Sequence, residues 1–76
     1  MVKRTSIEIK KAILEVLNDN QYYSYAELER KVNTNWISIK NQCVELEIFE
    51  AIEIKDNKVK ITSKGKKYLG KIKENI

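Results

Sequence analysis

The ten residues Ile52–Ile61 constrain the fold of this chain more than any other stretch. Reading Ile52-Glu53-Ile54-Lys55 against Lys58-Val59-Lys60-Ile61, with Asp56-Asn57 as the turn, pairs Ile54 with Val59 and Ile52 with Ile61. All four apolar side chains then fall on one face, as the period-2 geometry of a strand requires. Glu53 falls opposite Lys60 as a cross-strand ion pair, and Lys55 falls opposite Lys58. Asp and Asn both tolerate the left-handed backbone of a two-residue hairpin turn. A slip of one residue would destroy every pairing at once, so the register is specified.

The rest of the chain must supply a core for this hairpin to lie on. With 76 residues, 42% of them hydrophobic, there is material for one small core and no second one. Charge is distributed unevenly. Residues 1–38 carry six basic and five acidic groups, and residues 39–54 carry one and four. Residues 55–76 carry eight lysines against Asp56 and Glu74, so the segment charges are +1, −3 and +6. A basic C-terminal half on a nearly neutral body points to a polyanionic partner; a lysine-rich solvated face is the alternative. The lone Cys43 excludes an internal disulfide and fits a reducing, cytoplasmic setting. No apolar run approaches the ~20 residues of a membrane span, and Met1-Val2-Lys3-Arg4 leads into an amphipathic helix, not a signal sequence.

Helix signals fill the first two thirds. Thr5 with Glu8 makes a capping box that opens a helix over about 6–18, with Ile9, Ala12, Ile13, Val16 and Leu17 at helical spacing. Tyr22 and Tyr23 fall in the connection, one inward and one outward. Ser24-Tyr25-Ala26-Glu27 is a second capping box, starting a helix over about 25–32 with Leu28 and Val32 inward. Asn33-Thr34-Asn35 separates it from a third helix over about 35–48. There Trp36, Ile39, Cys43 and Leu46 follow 3-4-3 spacing and define the buried stripe. The opposite face holds Thr34, Ile37, Ser38, Asn41 and Glu45, flanked by Lys40 and Gln42, and is polar but nearly uncharged. After the hairpin, Thr62 or Ser63 caps a fourth helix over about 63–75. Its first turn holds Lys64, Lys66 and Lys67, the unfavourable sign for a helix N-terminus unless an anion docks nearby.

The order helix, tight turn, helix, lysine-edged hairpin, helix is the plan of a winged helix-turn-helix: mostly α, a three-helix core, a two-stranded wing and a C-terminal helix. The run Ser24-x-x-Glu27-Leu28, Thr34, Cys43-x-x-Leu46, Ala51-Ile52, then Lys58-Val59-Lys60-Ile61-Thr62-Ser63-Lys64-Gly65-x-x-Tyr68-Leu69 resembles the small archaeal winged-helix DNA-binding and transcriptional-regulator family. The resemblance covers about residues 6–72, and its weight lies in the order and spacing of individually loose elements. It implies that the third helix enters the major groove and that the wing touches the backbone. Glu50 departs from the pattern, standing where the family usually has glycine, so the turn after the third helix is expected to differ.

On this reading Ile37, Ser38, Asn41 and Gln42 are the candidates for base contacts. Asn and Gln make bidentate contacts to adenine, and an exposed Ile can meet a thymine methyl. Thr34, Lys40, Lys55, Lys58, Lys60, Lys64 and Lys66 are the candidates for phosphate. The Lys55–Lys58 rung places like charges opposite each other, which a phosphate would relieve; lysines that guard a sheet edge against aggregation are the alternative. Trp36 is expected to be a core anchor and Cys43 a small core residue. An enzyme is not expected: there is no histidine, no glycine-rich phosphate loop and no suggestive carboxylate pair, and no metal, cofactor or small-molecule effector is implied. The expected function is double-stranded DNA binding, as a transcriptional regulator or a small nucleoid-associated chromatin protein. A winged-helix module for protein–protein interaction is the alternative. Ile7, Leu14, Ile72 and Ile76 remain as apolar surface for a homodimer.

Overall fold

The computed structural model describes residues 5–74, and side chains as far as Ile72. It contains helices α1 (Ser6–Leu17), α2 (Tyr25–Val32), α3 (Trp36–Ile48) and α4 (Ser63–Glu74), with strands β1 (Tyr23–Ser24), β2 (Ile52–Lys55) and β3 (Lys58–Ile61). The helices pack around one core, and the three strands form a small antiparallel sheet in the order β1-β3-β2. No helix among the described residues is long and apolar enough to cross a membrane.

Local chemistry accounts for most boundaries. The Thr5 hydroxyl accepts from the Glu8 N–H at 3.2 Å, and Ser24 with Glu27 completes a reciprocal capping box on α2. Asn33 ends α2 in the left-handed conformation, and Asn35 caps α3 by accepting from the Ser38 N–H at 2.8 Å. Only Asn33-Thr34-Asn35 separates the two helices. The β2–β3 register pairs Ile52 with Ile61, Glu53 with Lys60, Ile54 with Val59 and Lys55 with Lys58, as the alternation demands. Asp56 and Asn57 both take positive φ, 51° and 63°, which is the twist a tight hairpin needs.

The end of α3 is closed by Glu50. Its φ is 62°, so it adopts the left-handed conformation that glycine ordinarily supplies. The Ala51 N–H donates to the Leu46 carbonyl at 2.8 Å and the Glu50 N–H to the Glu47 carbonyl at 2.9 Å. That is the Schellman pattern, so the turn keeps its glycine-type geometry without a glycine. Thr62 ties α4 to the same corner: its Oγ1 donates to the Glu50 carbonyl at 2.5 Å and accepts from the Gly65 N–H at 3.1 Å. Gly65 is buried here, and a Cβ in its place would overlap the Ala51 carbonyl oxygen. Gly70, by contrast, lies inside α4 with open space around it.

Several expectations are corrected. Tyr23 and Ser24 form a short strand on the free edge of β3, not a loop; only pairing across 34 or more residues reveals it, with Ser24 opposite Lys58 and Tyr23 opposite Val59. The buried stripe of α3 is Ile39, Gln42, Cys43 and Leu46. It is rotated toward Gln42 and away from Trp36, which is 47% exposed at the first helical position. Leu14 and Ile72 belong to the core and so are not available as a dimer surface; Ile76 lies outside the described residues. Ile7 alone of that set is described as exposed.

Candidate nucleic-acid interface

Two clusters of candidate residues emerge. The first occupies the N-terminal half of α3. Ile37 is 65% exposed, and Lys40 and Asn41 are exposed beside it. Helical spacing puts Trp36 and Lys40 one turn apart, and the Lys40 ammonium sits over the indole ring at 4.9 Å from its centroid. The first turn of α3 holds no acid. The positive end of the helix dipole is therefore left without a side-chain counter-charge. Thr34 and Ser38 are half-buried at its edge.

Gln42 does not join this cluster. It is only 7% exposed, and its Oε1 is buried without a hydrogen-bond partner. A side chain buried to this degree cannot reach a base edge, so its expected role in base contact is withdrawn. Glu45 also leaves the expected reading face. Its carboxylate accepts from Lys10 of α1 at 3.1 Å, compensating a lysine that is otherwise buried.

The second cluster is the hairpin tip. Lys55 and Lys58 face each other on the last rung, both exposed, and with Tyr22 and Asp56 they line an open cleft of about 290 Å³. Among the described residues neither lysine has an acid within ion-pair distance. Lys60 is half-buried and committed: it lies 5.4 Å from the centroid of the Tyr22 ring. The Tyr22 hydroxyl in turn donates to Glu53 at 3.2 Å, and the nearby Glu53 charge pushes the phenol's pKa up. Tyr22 thus braces the outer face of the hairpin, a role the sequence reading missed. Its place just before the Ser24 cap was the only signal, and a weak one.

At the start of α4, Lys66 and Lys67 are exposed. Lys64 is ion-paired with Glu50, and its hydrogen bond and charge hold that carboxyl below the usual carboxylate range. Lys64 is therefore not a free cation. Cys43 is a core thiol, pushed up to about 12 by burial.

No family model matches the chain, and no curated protein matches it significantly. What is established is a small domain of helices with a small antiparallel sheet.

Proposed function

We propose that this chain is a winged-helix domain that binds double-stranded DNA, as a transcriptional regulator or a small nucleoid-associated protein of the cytoplasm. The hairpin is the wing: Lys55 and Lys58 take backbone phosphates, with Lys66 adding a contact from α4. The N-terminal half of α3 enters the major groove. There Asn41 is the residue for an adenine edge, Ile37 for a thymine methyl, and Lys40 and Thr34 for phosphate. The observation that carries the reading is the Lys55–Lys58 rung. It is a like-charge pair at the exposed tip of a specified hairpin, with no acid within ion-pair distance among the described residues.

Binding of this kind weakens steeply with salt, by ~0.9 log unit per log unit of salt for each phosphate neutralised. The test is a mobility-shift titration on AT-rich and mixed duplexes at two salt concentrations. Replacing Lys55 and Lys58 by Ala should make the slope shallower by nearly ~2 units on every sequence. An unchanged slope removes the wing from the backbone, and absence of any shift at low salt removes the reading. A protein-interaction module is then favoured by the exposed apolar end of α3, where Val44, Ile48 and Phe49 face solvent.

A further inference from the structure

The apolar end of α3 is distinct from the proposed reading half. Val44 and Ile48, one turn apart, are exposed, the latter at 73%, and Phe49 follows at 58%. Phe49 meets Tyr68 of α4 edge-on, with ring centroids 6.1 Å apart. Between these rings and Ala51 lies a predominantly apolar pocket of about 200 Å³, open to solvent and roomy enough for an aromatic ring. Three large apolar side chains beside an apolar pocket are more than the scattered exposure of an ordinary surface.

We propose that this patch is the face through which two copies of the chain pair. The argument for a second copy is charge complementarity within the patch itself. Glu47 lies on its α3 flank, one residue before Ile48, while Lys71 lies on its α4 flank, one turn after Tyr68; both are exposed. Glu45 and Glu50, the neighbouring acids, are neutralised internally by Lys10 and Lys64. A two-fold axis through Ile48 is isologous, so each contact occurs twice. It sets Glu47 of one copy against Lys71 of the other, and the exposed Phe49 ring of each copy against the pocket of its mate.

Sedimentation of the chain alone, without DNA, tests the pairing. The wild type should dimerise in the micromolar range, and Ile48→Lys should weaken the dimer by about tenfold or more. Lysine at the end of a helix suits the helix dipole, so the fold should persist, which the circular-dichroism melt verifies. Glu47→Lys and Lys71→Glu should each weaken the dimer, and the double charge swap should restore it. A wild type that stays monomeric at high micromolar concentration overturns the proposal. So does an Ile48→Lys variant that dimerises like wild type, or a charge swap that fails to restore pairing. Because no DNA is present, a dimer that binds no duplex refutes only the proposed function, and a monomer that binds duplex refutes only the pairing.

Discussion

The two halves of α3 make opposite use of one helix. From Trp36 to Asn41 the exposed side chains are an aromatic ring, Ile37, Lys40 and Asn41, with no acid. From Val44 to Glu50 they are apolar groups and acids, with no base in the last turn. A helix tuned for its own stability would place acids first and bases last. This one does neither. Glu45 and Glu50, near its C-terminus, are answered from other elements by Lys10 and Lys64, whereas the positive N-terminus meets only the neutral Asn35 cap. The difference teaches that the fold answers acids near the C-terminal end of α3 from within, and leaves the N-terminal end with no charged counterpart among the described residues.

The strongest way to break the comparison is to detach what holds the C-terminal half. Gly65→Ala forces a methyl into the Ala51 carbonyl, and the expected loss is ~1–3 kcal/mol or more in chemical denaturation. Gly70→Ala, five residues along the same helix, should instead gain up to ~1 kcal/mol, since its Cβ meets nothing. If both glycines respond alike, the corner does not clamp α4.

Trp36→Ala separates the halves by function. Trp36 lies outside the core, so the variant's melting temperature should stay near wild type, whereas duplex affinity should fall by ~0.5–1 kcal/mol as Lys40 loses the ring beneath it. The tryptophan is the chain's only one, so its fluorescence should also change on adding duplex to the wild type. A large loss of stability with unchanged binding would return Trp36 to the core.

Gln42→Leu sharpens the boundary between reading face and core. Removing a buried carboxamide oxygen that has no partner should raise stability by ~1 kcal/mol and leave DNA affinity untouched. Weaker binding at unchanged stability would restore Gln42 to the interface.

The smallest effect concerns the corner's ion pair. Lys64 depresses the Glu50 carboxyl, so the folded state holds that proton less tightly than the unfolded chain does. The stabilisation is complete above the unfolded carboxyl pKa and is lost as pH falls through the lower, folded value. Lys64→Met should therefore flatten the acid limb of the stability–pH curve slightly. It should barely alter the salt slope of DNA binding, because Lys64 is engaged with Glu50. A slope shallower by ~0.9 would mean that Lys64 leaves Glu50 for phosphate.

What could be read in the sequence followed from short-range rules. Helix caps act over three residues, and the hairpin's alternation permits one register only. These rules located the helices, the hairpin and the lysines at its tip, and they marked Cys43 and Leu46 as core. The resemblance to a known family, not these rules, singled out Glu50, and it did not foretell the residue's left-handed backbone.

Tertiary structure decided which way α3 turns. Trp36 and Gln42 flank the Ile39–Cys43–Leu46 stripe on opposite sides, and periodicity within one helix cannot say which flank its neighbours cover. In the folded chain, where α3 packs against α1, α2 and β2, Gln42 is buried and Trp36 is left outside. The same holds for β1, which exists only because β3 offers a free edge, and for Lys10, Lys60 and Lys64, whose partners lie far off in the chain or across a strand. Sequence spacing fixes which residues can share a face of one element. Which face is buried, and which charge is already answered, depends on contacts between elements that no local pattern encodes.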